Sequence, residues 1–148
     1  MDRTAQNWVA LIGRIALALI FILSGVGKLE ALTATESVMT SHGIPAAPLL
    51  IWPIIAVELL GGLALAVGWK ARWAAAILAL FIVPATLIFH AFWAADPAQA
   101  MDQQIHFLKN VSIFGGVLTV AAFGPAGYSV DAWLRRMGHT PRIALQRH

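Results

Sequence analysis

The chain has 148 residues, of which 59% are hydrophobic and only 11% charged, against about 45–50% and about 25% in soluble domains. With a mean hydropathy of +0.76, this composition excludes a water-soluble globular protein, and four long apolar segments leave room for a single domain over residues 1–148. The net charge of +3 sits at segment ends rather than on a basic face, which argues for membrane orientation and against nucleic acid. Without cysteine, a dithiol centre, a thiolate iron–sulfur site, covalent haem attachment and a cysteine nucleophile are excluded within the chain.

A helix needs about 20 apolar residues to cross a hydrocarbon core of about 30 Å, since each residue rises about 1.5 Å. Four segments qualify: residues 8–27, 46–67, 73–92 and 105–123. The first resembles a signal peptide but is too long and lacks a small-x-small cleavage site, so it is expected to be a retained helix. Between the first two, Thr33-x-x-Glu36 is a candidate capping box and Gly43 ahead of Pro45 a candidate stop, which predicts a short helix at the outer surface. Pro84 is expected to kink the third segment. After the fourth, Gly124-Pro125-Ala126-Gly127 must break the helix and Ser129 can cap a new one, in which Val130, Trp133, Leu134 and Met137 form an apolar stripe beside Arg135 and Arg136.

The predicted fold class is therefore an all-α membrane protein: a four-transmembrane-helix bundle with a short outer-loop helix and a C-terminal interfacial amphipathic helix. Short cytoplasmic segments collect Lys and Arg. Arg3, Lys70, Arg72, Arg135, Arg136, Arg142 and Arg147 fall on one side, while Glu30, Glu36, Asp96 and Asp102 fall on the other with Lys28. Both termini are accordingly expected in the cytoplasm.

An ionisable side chain at mid-membrane costs about 2.5–3.5 kcal/mol on insertion scales, so each needs an account. Arg14 and Glu58 lie about 9 and 15 Å from the cytoplasmic side by helical rise, close enough for a long guanidinium to make a structural ion pair. A proton-handling role for Glu58 is the alternative. Toward the outer side, Ser24 and Lys28 stand one turn apart, and His106, Lys109 and Asn110 share a helix face. Together with His90 these six would converge on a polar pocket. The plainer alternative is that Lys28, His106 and Lys109 snorkel to the headgroups while His90 bonds a neighbouring helix. Hydrogen-bond donors at one depth with few acids suit an electron-rich oxygen ligand such as a quinone head group, with histidine able to relay protons. A b-type haem between His90 and His106 is a further candidate, disfavoured by the neighbouring lysines.

The motifs Arg14, Ser24-Gly25-Val26-Gly27-Lys28-Leu29, Gly43-Ile44-Pro45, Glu58-Leu59-Leu60-Gly61-Gly62, Gly68, Arg72 and His90-Ala91-Phe92 resemble those of the DoxX family of small four-helix membrane proteins. Phe107-Leu108-Lys109-Asn110, Gly115-Gly116 and Gly124-Pro125-Ala126-Gly127-Tyr128-Ser129-Val130-Asp131 extend the resemblance over roughly residues 10–131. It implies a bacterial or archaeal plasma-membrane protein with redox associations. Some relatives resemble the small part of a thiosulfate:quinone oxidoreductase, and others work beside a superoxide dismutase and a sulfurtransferase in oxidative stress. The leading expectation is a quinone-interacting protein or a subunit of a quinone-linked oxidoreductase. The rivals are a non-catalytic scaffold for redox or stress partner proteins, and a transporter, which would require a homo-oligomer because four helices enclose too small a lumen.

Overall fold

A computed structural model describes residues 1–138, so Arg142 and Arg147 lie outside the described residues. Six helices follow in chain order: α1 (Arg3–Glu30), α2 (Leu32–Ser41), α3 (Ala47–Val67), α4 (Ala71–Phe89), α5 (Pro97–Phe123) and α6 (Val130–Gly138). The segments carrying α1, α3, α4 and α5 are long and apolar enough to cross a membrane. Six tryptophans mark the two ends. Trp8, Trp69, Trp73 and Trp133 stand at the end where α1 starts, Trp52 and Trp93 at the opposite end, and every one is exposed. Such paired aromatic belts are what a bilayer's two interfaces select.

Polar residues move the boundaries away from those read off hydropathy. The fourth spanning helix begins at Pro97, eight residues before the apolar segment, because Asp96 takes the N-cap position and proline is preset for the first turn. This adds two turns that bear Gln99 and Gln103. The third spanning helix stops at Phe89, and His90 is its C-cap, followed by a 3-10 turn at Phe92–Ala94. The expected Thr33–Glu36 capping box does not form: α2 starts at Leu32 behind Ala31, with no side-chain cap, so Thr33 already lies inside the helix. Gly43 does end this stretch, in the left-handed region at φ +76°, and Ser129 Oγ accepts from Ala132 N at 3.2 Å at the start of α6.

Small residues set the packing. A Cβ at Gly25 would stand 2.7 Å from Leu59 Cγ, and one at Gly62 would stand 2.9 Å from Ile22 Cγ1, so α1 and α3 meet at a distance only glycine permits. The core holds Ala18, Phe21, Leu65, Leu78, Ile82 and Val117 from α1, α3, α4 and α5. A second cluster of Met39, Ala47, Ile51 and Ile55 seats α2 on the start of α3.

At the end bearing Arg3, backbone groups left open by helix termini are closed by side chains. Arg14, 2% exposed, donates from Nε to Ala66 O at 3.2 Å, from Nη1 to Pro125 O, and from Nη2 to Tyr128 O at 2.8 Å. The Asp131 carboxylate accepts from Lys70 N at 2.7 Å and Ala71 N at 2.9 Å, capping α4 from α6. Asn7 Oδ1 accepts from Gly127 N at 2.9 Å.

The expected Arg14–Glu58 pair is thereby corrected. The last turn of α3 and the break after α5 present carbonyls with no helical partner, and one fork-shaped guanidinium answers three of them. Glu58 lies eight residues before Ala66, about 12 Å along the helix, and pairs with Lys28 from the opposite end, Nζ to Oε1 at 2.9 Å.

Candidate functional site

A cavity of about 770 Å³ lies within the bundle toward the Lys28 end. Apolar side chains such as Phe21, Ile54, Ile82, Ile88 and Ile113 make most of its lining, while Ser24, Lys28, Glu58, His90, Gln103, Lys109 and Asn110 supply polar groups. Five of the six residues expected in a polar pocket thus line one cavity. His106 does not.

Each polar group is held by a neighbour. Lys28 Nζ donates to Ser24 Oγ at 2.7 Å as well as to Glu58 Oε1, and Ser24 Oγ donates to the same Oε1 at 3.0 Å. One helical turn between Ser24 and Lys28 puts both on the α1 face toward α3, and Gly25 between them lets the helices approach. Asn110 Nδ2 donates to Thr86 Oγ1 at 3.0 Å, while Thr86 Oγ1 donates back to Ile82 O at 2.6 Å. This chain orients the amide on α5 from α4.

The histidines act as a stacked pair, with ring centroids 5.1 Å apart and planes 19° from parallel. His90 Nδ1 donates to Gln103 Oε1 at 2.9 Å, so a neutral His90 ring keeps Nε2 as an acceptor. His106 Nδ1 accepts from Lys109 Nζ at 2.8 Å, and its Nε2 stands 3.6 Å from Asp102 Oδ2. His106 therefore holds Lys109 without itself lining the cavity. Face-to-face rings do not aim nitrogens at a common point between them, so this pair does not fit two axial haem ligands.

The sequence reading missed His42, Thr35, Gln99 and Gln103, which also line the cavity. The glutamines precede the apolar run of α5 and become helical only through the Asp96-Pro97 start. Thr35 and His42 arrive because α2 packs back against the start of α3, with His42 and Phe89 ring centroids 5.0 Å apart. No local signal announces that fold-back. Glu58 was visible as a buried acid, and the signal for its true partner was Lys28, whose long stem reaches back one turn to Ser24 and Glu58.

The sequence model of the DoxX family matches residues 9–91. Inner membrane protein YqjF of Escherichia coli is 33% identical over 85% of this chain and 92% of its own length. Inner membrane protein YphA of the same organism is 31% identical over 86% of this chain and 91% of its own length. The ER-derived vesicles protein ERV29 of Saccharomyces cerevisiae is 24% identical over 86% of this chain, but the match covers 34% of that protein. No solved structure matches.

Proposed function

The chain belongs to the DoxX family, and from that premise we propose that its cavity binds the head group of a membrane quinone, making it a quinone-linked redox protein or a subunit of such an oxidoreductase complex. One observation carries the reading: in a bundle of membrane-spanning helices, Lys28, Lys109, Asn110 and His90 line a single, mostly apolar cavity. Its volume of about 770 Å³ falls within the usual range for small-molecule sites of about 300–1,000 Å³. A quinone would supply two-electron, two-proton chemistry. The chain's own residues would bind and orient it: Lys109, held by His106, offers a cationic donor to one carbonyl oxygen, while the isoleucine and phenylalanine lining excludes water and accepts the tail. In keeping with the inner-membrane relatives, we place the protein in a bacterial or archaeal plasma membrane with both termini cytoplasmic.

The test is titration of a short-chain quinone, followed by tryptophan fluorescence in mild detergent, against wild type and Lys109→Met. Losing a charged donor should weaken binding by roughly ten-fold to a hundred-fold. Equal affinities, or no binding to either, refute the reading.

A second reading is a membrane scaffold for redox or stress partners, or a homo-oligomer. It is favoured by α5, in which Val117 is the one fully buried residue, so that most of its surface is open to another helix or to lipid. Reproducible co-purification of a partner without quinone binding would support it.

A further inference from the structure

Glu58 is 4% exposed, yet its two carboxylate oxygens are treated unequally. Oε1 receives both Lys28 Nζ and Ser24 Oγ, and among the described residues Oε2 has no hydrogen-bond partner. An ionised carboxylate accepts through both oxygens, and a buried acceptor left unmade is uncommon enough to need an explanation. Glu58 lines the cavity. Ile82 on α4, Met39 on α2 and Ile113 on α5, which line the same cavity, are apolar and have no donor to offer Oε2. Oε2 itself is closed off as the side chain stands, so a molecule in the cavity that brings a donor completes this group once the carboxylate turns to bring Oε2 to the cavity wall.

Resting on the reading above, we propose that the cavity is built for the reduced, hydroxyl-bearing form of the head group, a quinol or related phenol, whose O–H donates to Glu58 Oε2. A quinone ring offers acceptors only, which satisfies Lys109 and leaves Oε2 bare. A quinol offers both: one hydroxyl donates to the carboxylate while the other oxygen accepts from a cation. His90 agrees with this, since its Nδ1 is already spent on Gln103 and a neutral ring has an acceptor left. A cationic amine would also donate, but Lys28 and Lys109 in the same lining oppose a positive ligand. The hydroxyl is the donor that this charge pattern admits.

The experiment measures dissociation constants in detergent for a short-chain quinone, the matching quinol kept reduced under anaerobic conditions, and the quinol dimethyl ether, which cannot donate. Wild type should hold the quinol about ten-fold or more tighter than either other ligand, the range expected for one hydrogen bond to a charged group. In Glu58→Gln the free amide nitrogen becomes a donor, and the preference should vanish or turn toward the quinone. Lys109→Met should weaken both redox forms and leave their ratio. Equal binding of quinol and dimethyl ether to wild type overturns this inference while leaving a quinone site standing, and that comparison needs no variant to fold. An unchanged quinol preference in a folded Glu58→Gln protein also overturns it. Binding of none of the three ligands removes the quinone reading and this inference together.

Discussion

Two double-mutant cycles separate the partner that Glu58 has from the one its depth suggested. Lys28 Nζ and Glu58 Oε1 are 2.9 Å apart, and at an effective dielectric of about 20 their attraction is about 6 kcal/mol before desolvation is subtracted. Desolvation removes most of that, and contacting residues in such cycles show couplings of about 0.5–3 kcal/mol, so we expect about 1–3 kcal/mol between Lys28→Met and Glu58→Gln. Arg14 is engaged with Ala66, Pro125 and Tyr128 carbonyls, about two helical turns from Glu58. Arg14→Met should therefore be costly alone, by at least about 3 kcal/mol when three buried acceptors each lose a donor worth about 1–3 kcal/mol. With Glu58→Gln it should add to within about 0.5 kcal/mol. Stability is read by unfolding in mixed detergent micelles, followed by tryptophan fluorescence. Coupling above about 1 kcal/mol for Arg14–Glu58, with additivity for Lys28–Glu58, would refute the assignment of both charges.

Gly68 sits at φ +73°, where a Cβ would lie 2.4 Å from that of Ser129, so Gly68→Ala should lower stability by about 1–3 kcal/mol in the same unfolding assay, and an unchanged midpoint would contradict the packing of the α3–α4 corner on the start of α6. Reporters fused after Val67 and after His148 should read cytoplasm and those near Thr35 and Asp96 the outside, as the basic bias of Arg3, Lys70, Arg72, Arg135 and Arg136 demands; a cytoplasmic signal at Asp96 would invert the proposed topology.

The spanning helices were legible because hydrocarbon imposes one requirement on every residue of a segment, and a run of apolar side chains states it directly. The start of α5 was not legible for the same reason. Its first two turns carry Gln99, Asp102 and Gln103, which fail a hydropathy window but satisfy helix geometry once Asp96-Pro97 fixes the entry. Ser24, Lys28, His90, Lys109 and Asn110 could be gathered from depth alone, since helical rise converts residue number into height. Depth says nothing about azimuth, however. Arg14 and Glu58 matched in height to within one long side chain yet belong to different networks, because the backbone carbonyls of Ala66, Pro125 and Tyr128 are invisible to any inventory of side-chain charges.

The two ends of the bundle differ in how completely their polar groups are matched, and this separates structure from function more sharply than residue type does. At the Arg3 end the polar side chains close backbone: Arg14 on three carbonyls, Asp131 on two amides, Asn7 on one. These contacts tie α1, α3, α4 and the start of α6 into one plate. At the Lys28 end polar side chains that line the cavity bond one another, and among the described residues one carboxylate oxygen is left over. A buried network satisfied to its last member serves the fold, whereas one that stops an atom short calls for an explanation, and a bound donor is the one proposed here. Glu58 is thus held in place by Lys28 and Ser24 through one oxygen, and the quinol proposed above would take the other, dividing stability and recognition between the atoms of a single residue.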